Sequence, residues 1–416
     1  MRSISTRAAK SLAVECPLNK ALMEVIDKLQ HPEFNPQGAL NLGLAHNDLL
    51  HEKIFEKDVN YGAPQGSGRL LNLLQAFFTR HFKPHYPLQS DHIFIQTGAG
   101  ASVNQLVMSI ADEGDYCMIP GPYYGAFDLD ISVHTGVSIV KVFSHGLLDM
   151  TVDGDELERV FQQAQSEGKR ITSILVTNPD NPLGRCFSRQ DLETFLRFAA
   201  KHNLHLISDE IYALSSFSHL LDNSQQDPFH SILSIDYQAF IDPSLVHVIY
   251  GMSKDFAVNG FRVGFIINQF NEPLRLALMR SAAFSYTSTI TDRLLCKFFA
   301  DKDWIDTYLQ ENRQALANTY LKTTRFLKEH NIDFIPGEAG PFFMIDLRSI
   351  IRQKHNRETT FNDENQLWYK MIDCGVYLAP GFAFHTQYPG FFRLTFALPW
   401  ETLEHGLNIM LKALEI

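Results

Sequence analysis

Between about residues 91 and 268, short apolar runs alternate with helix-spaced amphipathic stretches, and few architectures admit that pattern. Asp91–Thr97, Asp115–Pro120, Val137–Val142, Ile171–Thr177, His205–Tyr212 and His247–Tyr250 read as strands, because they are short and rich in β-branched and aromatic residues. Val103–Ala111, Asp155–Ser166 and Arg189–Lys201 carry apolar residues at helical spacing. Strand and helix in alternation predict a mostly parallel sheet covered by helices on both faces. From Ala282 the pattern changes. A long helical stretch around Thr291–Glu329 precedes strands at Asp333–Pro336 and Phe342–Leu347, a helix near Asn365–Cys374, strands at Val376–Leu378 and Phe391–Ala397, and a closing helix after Glu401. This predicts a smaller α+β unit. At 416 residues the chain is too long for one small core. The expected division is an N-terminal arm and part of the small domain over 1–48, a large α/β domain over 49–290, and a C-terminal small domain over 291–416.

The N-terminal part adds a helix at Ala21–Leu29, an extended piece at Asn41–Asn47, a Gly/Pro-dense loop at Asn60–Gly68 and an amphipathic helix at Arg69–His81. Composition narrows the function. A formal net charge of -11 makes nucleic acid and anionic membrane poor partners. No apolar run is long enough to span a bilayer. The five cysteines are scattered without metal-ligand spacing, so no metal is expected, and reduced thiols in a cytoplasmic protein are the economical reading. Thirty-two Phe residues suggest aromatic-rich packing or an apolar substrate pocket.

Chemistry concentrates where the strands end. Lys254 follows the strand that stops at Gly251, and Arg262 returns eight residues later. A lysine amine is tunable by burial, whereas a guanidinium keeps its charge and forks its donors. Gly98-Ala-Gly-Ala-Ser102 joins a strand to a helix, the geometry that presents free N–H groups to a phosphate. A dinucleotide site is the rival reading, although the full fingerprint needs a third glycine and position 103 is Val. Asp209 closes a strand with Tyr212 close behind, where open α/β sheets bind ligands. Two Asn-Pro dipeptides over residues 178–182 stiffen the loop that carries Asn181. Tyr123 and Tyr124 offer flat faces to a planar ligand.

Together, Lys254, Asp209, Tyr212, Asn181, Arg262, the Gly98 turn and Arg393 resemble the pyridoxal-phosphate enzymes of fold type I, the aspartate aminotransferase-like class I/II family. Gly43-Leu-Ala-His-Asn47, Pro122-Tyr-Tyr124, residues 178–184, Ser208-Asp-Glu-Ile-Tyr212 and Ser253-Lys-Asp255 with Gly260-Phe-Arg-Val-Gly264 look most like its 1-aminocyclopropane-1-carboxylate synthase-like branch. The resemblance implies a seven-stranded, mostly parallel sheet and pyridoxal 5'-phosphate as cofactor. It implies that Lys254 joins the cofactor as a Schiff base and then moves the Cα proton. Asp209 would pair with the pyridinium nitrogen, and Tyr212 and Asn181 would bond the phenolic oxygen. Tyr124 would stack on the ring. Arg262, Ala99 and Gly100, assisted by Ser253, would hold the phosphate. Tyr61 would reach the neighbouring subunit's phosphate, in a homodimer with shared sites. Arg393 would clamp the substrate carboxylate, and Ala45, His46 and Asn181 would line the substrate pocket.

Two departures stand out. The family often has a phosphate-binding serine where this chain has Gly251. The synthases carry a glutamate where this chain has His46, which argues against cyclisation of S-adenosylmethionine. The expected function is therefore chemistry at the Cα of an amino acid, with transamination ahead of a C–S lyase or γ-elimination and replacement in secondary metabolism. A dinucleotide oxidoreductase and a catalytically silent pyridoxal-phosphate sensor are the other readings.

Overall fold

The computed structural model describes residues 4–12, 36–37, 62–221 and 229–416. Its strands are β1 (Ile93–Gln96), β2 (Tyr116–Pro120), β3 (Ser138–Val142), β4 (Ile171–Thr177), β5 (His205–Asp209), β6 (Val246–Gly251) and β7 (Gly264–Ile267), then β8 (Asp333–Phe334), β9 (Phe342–Asp346), β10 (Ala379–Pro380) and β11 (Phe391–Thr395). The first seven form one sheet in the order β1-β7-β6-β5-β4-β2-β3, and the last four form another in the order β10-β11-β9-β8. In the larger sheet only β7 runs against its neighbours, because it returns from β6 through the turn that carries Lys254.

The side-chain period of a strand explains the three layers. Ile93 and Ile95 point to one core while Phe94 points to the other, and Ile174 and Val176 split in the same way from Leu175. Val248 and Tyr250 again oppose Ile249. Helices α1 (Thr6–Leu12), α3 (Ala99–Ile110) and α7 (Glu272–Ala282) cover the second face. Helices α2 (Gly68–Phe82), α5 (Gly154–Ser166) and α6 (Arg189–His202) cover the first. A short helix α4 (Phe127–Ser132) lies between β2 and β3. The first face is heavily aromatic: Phe77, Phe78, Phe82, Tyr250 and Phe265 pack mainly edge to face.

The expected long helix over 291–329 is two helices, α8 (Thr289–Ala300) and α9 (Lys302–Glu329). Asp301 interrupts it, accepting from the N–H of Trp304 and so capping the second helix. Ile305 and Leu309 of α9 enter the large core, whereas Leu316, Tyr320 and Leu327 enter the core under the small sheet. Helices α10 (Arg348–His355), α11 (Phe361–Cys374) and α12 (Trp400–Leu414) complete the chain. Helix α11 starts earlier than its apolar spacing suggests, because Thr360 and Asp363 form a capping box. The strand expected at Val376–Leu378 forms instead at Ala379–Pro380. Val376 is tied back to Met371 by the helix end at Gly375, and pairing with β11 begins at Ala379. The helix expected at Ala21–Leu29 and the extended piece at Asn41–Asn47 lie outside the described residues.

Candidate active site

Strand register gathers the chemistry along one edge of the large sheet. Gln96 pairs with Gly264, and Gly264 with Gly251, so the turn after β1, the start of β7 and the end of β6 are neighbours. Asp209 pairs with Ile249 on one side and with Thr177 on the other. The edge therefore presents, in order, the Gly98 turn, Arg262, Lys254, Asp209 and the Asn181 loop. This is the carboxyl end of the parallel strands, where such sheets bind ligands.

The Gly98 turn is built for close approach. Gly98 has a φ of +112°, and a Cβ there would lie 2.6 Å from Arg262 Nη2. A Cβ on Gly264 would lie 2.3 Å from the Gly98 carbonyl carbon and 2.5 Å from the Ala99 nitrogen. Arg262 is itself in the left-handed region, at a φ of +53°, which aims its guanidinium back over the turn while Nη1 donates to the Asn259 carbonyl at 3.0 Å. No side chain caps α3, so the first N–H groups of Ala99 and Gly100 face the same space. A phosphate has the charge and acceptor count to fit this cradle. Ser253 is half-buried beside Lys254. Gly251 has a steric reason: a Cβ there would lie 2.9 Å from Ile211 Cδ1 and 3.0 Å from the Val263 carbonyl oxygen.

Lys254 sits on a turn whose next residue is firmly anchored. The carboxylate of Asp255 accepts from the Leu214 N–H at 2.9 Å and from the Tyr250 hydroxyl at 3.0 Å. Burial holds the Lys254 ammonium below its usual pKa; Arg393 and Arg262 push the same way, and Asp209 opposes them. Asp209 is buried, and that burial raises its pKa to about 7; the N–H of Ile211 at 3.3 Å and the Lys254 charge pull it back. A buried carboxyl with a single backbone donor matches a cationic ring nitrogen in chemistry and place. Tyr212 is also buried, packs edge to face on Phe342 at 5.2 Å, and has its hydroxyl pushed well above the usual range by burial.

Arg393, on β11 of the small sheet, reaches across to this row. Its Nη1 donates to Asn181 Oδ1 at 2.7 Å. Its guanidinium lies between two rings, 4.4 Å from Phe342 and 4.5 Å from Phe384. Its Nε is buried and meets no acceptor. Two aromatic rings thus lie against this cation, and its unpartnered Nε leaves a donor for a carboxylate. Tyr124 is 39% exposed and lies within the field of Asp130, Arg393, Asp209 and Arg262, so it borders the same space.

The structure thus brings together Ala99, Gly100, Tyr124, Asn181, Asp209, Tyr212, Ser253, Lys254, Arg262 and Arg393. Tyr61, Ala45 and His46 lie outside the described residues. Sequence reasoning passed over Asp255, the Phe342 and Phe384 pair, and Asp130. Asp130 faces the start of α3, with Oδ1 3.0 Å from where a Gly100 Cβ would stand, and burial raises its pKa. Asp130 lies in the short, uncapped helix α4, whose sequence gave no signal that it would turn inward. Among the described residues, no group of three or more His, Cys, Asp or Glu is arranged to hold a metal ion.

Residues 41–409 match the family model described as aminotransferase class I and II. The chain belongs to that family. The 1-aminocyclopropane-1-carboxylate synthase CMW33 of Cucurbita maxima is 30% identical over 401 residues, spanning 91% of this chain and 79% of that protein. An aromatic aminotransferase from Pyrococcus horikoshii superposes with a TM-score of 0.72 at 20% identity, over 86% of this chain and 88% of the other. Aspartate aminotransferase from Thermotoga maritima gives 0.68 at 22% identity, over 88% and 86%. These two likenesses are likenesses of fold. As a class I and II aminotransferase family member, the protein is a pyridoxal-phosphate-dependent enzyme that acts on amino acids. The dinucleotide reading of the Gly98 turn falls with that membership.

Proposed function

We propose that this family member transfers the amino group of an α-amino acid to a keto acid. The observation that carries the reading is the convergence of three groups. An amine of lowered basicity, Lys254, lies in the fields of the buried carboxyl of Asp209 and of the Arg393 guanidinium, which rests against two rings. Bound pyridoxal phosphate supplies an electron sink for the substrate's Cα bonds. Lys254 holds the cofactor and carries a proton to and from Cα through Nζ. Asp209 bonds the ring nitrogen and keeps it protonated. Tyr212 and Asn181 bond the ring hydroxyl, and Tyr124 covers the ring face. Arg262, the N–H groups of Ala99 and Gly100, and Ser253 hold the phosphate. Arg393 fixes the substrate carboxylate in the guanidinium plane, and Ala45, His46 and Asn181 line the substrate pocket.

A homodimer with shared sites follows from the same reading, with Tyr61 reaching the partner subunit's phosphate. Phe284 is 92% exposed, with Ile290 and Leu294 also exposed nearby, an apolar surface suited to a second copy. The division expected at residues 48 and 290 is proposed with it, although Leu295, Phe299, Ile305 and Leu309 carry the large core past 290 and Ile4 and Ala8 join the large sheet. No helix among the described residues is long and apolar enough to cross a membrane, and the described cysteines are free thiols. A reducing cytoplasmic setting fits those thiols.

The second reading, a C–S lyase or γ-elimination and replacement enzyme, is favoured by the curated relatives, which are 1-aminocyclopropane-1-carboxylate synthases. One assay separates the two. The purified protein is mixed with a panel of amino acids and a keto acid. A new amino acid supports transamination; released ammonia or thiol supports elimination. Lys254→Ala should abolish turnover and the Schiff-base absorbance, and retained turnover would contradict its role.

A further inference from the structure

The loop between β10 and β11 is clasped to the loop after β2 by groups that touch neither the phosphate cradle nor Lys254. The N–H of Tyr123 donates to the Phe384 carbonyl at 2.9 Å. A Cβ on Gly125 would lie 2.0 Å from the Ala383 carbonyl oxygen, so the two loops are in backbone contact. The His385 ring lies over Tyr123, with centroids 4.6 Å apart. His385 Nε2 is 2.7 Å from Asp128 Oδ2, and its Nδ1 is 3.0 Å from Lys141 Nζ. The Tyr123 hydroxyl donates to the other oxygen of Asp128 at 2.8 Å. His385 holds a φ of +56°, a region that side chains other than glycine seldom occupy.

These partners orient the ring. A lysine ammonium only donates and a carboxylate only accepts, so Lys141 and Asp128 hold the two ring nitrogens in different roles. Each end of the clasp adjoins a site residue. Tyr123 precedes Tyr124, and His385 follows Phe384, whose ring centroid lies 4.5 Å from the Arg393 guanidinium.

We propose that His385 is a positioning residue for the carboxylate clamp: through Phe384 it holds Arg393 in register with the cofactor side of the site. The proposal rests on the reading of Arg393 as the carboxylate ligand. An isolated surface ion pair would have little effect. Here the ring packs tilted on Tyr123, has a partner at both nitrogens and is set on a constrained backbone.

The test needs no knowledge of the natural substrate. Two probes react with the loaded enzyme: aminooxyacetate, which bears a carboxylate, and O-methylhydroxylamine, which lacks one. In each case the aminooxy nitrogen displaces the Lys254 amine from the cofactor's aldehyde carbon, without electron transfer, and the change in absorbance gives the rate. The ratio of the two rates reports the clamp alone. His385→Ala should lower that ratio about tenfold while the O-methylhydroxylamine rate changes less than twofold. His385→Gln, whose amide can accept from Lys141 and donate to Asp128, should restore most of it. An unchanged ratio in His385→Ala, or a ratio in His385→Gln as low as in His385→Ala, overturns the proposal. Should His385→Ala fail to fold, Lys141→Gln decides it: the ratio should fall there too, and an unchanged ratio overturns the proposal. Arg393→Lys separates the two layers. If it leaves the ratio unchanged, the clamp reading fails; if it lowers the ratio while His385→Ala does not, only the positioning role fails.

Discussion

Replacing Asp209 by Asn should stabilise the cofactor-stripped protein at alkaline pH and weaken it slightly at acid pH. The side chain is buried, and its pKa rises from 3.8 to about 7. The folded protein therefore binds a proton that the unfolded chain has released across that interval. The contribution of this carboxyl is complete below about pH 4 and is lost as pH rises through about 7. One pKa unit corresponds to about 1.4 kcal/mol, so the shift sets a ceiling of about 4 kcal/mol. Asparagine keeps the acceptor that meets the Ile211 N–H at 3.3 Å but cannot ionise. Its own amide donors are then left without a partner, at a cost of about 1 kcal/mol. Urea midpoints of the stripped proteins at pH 4 and pH 8 test this. Asp209→Asn should be less stable by up to about 1 kcal/mol at pH 4 and more stable by about 1–3 kcal/mol at pH 8. In the loaded enzyme the order at pH 8 should reverse, because the wild-type carboxylate gains the ring nitrogen. A difference between the two stripped proteins that does not move with pH would refute the reasoning.

Gly264→Ala should weaken cofactor affinity about tenfold to a hundredfold, about 1.4–2.8 kcal/mol, because the new methyl displaces the Gly98 turn; fluorescence titration of the stripped protein checks it. Gly251→Ser, which restores the family's serine, should cost about 1–3 kcal/mol of stability and bring no gain in cofactor affinity, since Ile211 and the Val263 carbonyl already fill that space; urea midpoints and the same titration check it. Phe342→Leu should slow reaction with aminooxyacetate about threefold to tenfold and leave O-methylhydroxylamine unchanged, as one face of Arg393 loses its ring.

The large sheet was legible because its chemistry is periodic. Apolar runs such as Ile171–Thr177 and Val246–Gly251 are buried on both faces, which only a covered sheet allows. Lys254, Asp209 and Asn181 were legible because each follows a strand end. What stayed hidden depends on contacts between distant segments. Nothing local to Phe384 or Phe342 announces that they enclose the same guanidinium, and Asp255 reads as one more charged loop residue until Leu214 and Tyr250 are found on it. The helix break at Asp301 was missed because apolar spacing continues through it while a single cap decides the boundary.

Helix α9 gives the molecule a common axle. Its 28 residues extend about 42 Å, with one end embedded under each sheet. Heat that loosens either end of this rod should therefore unseat the other. Lys254 and Arg393 should thus lose their places in a single melting step.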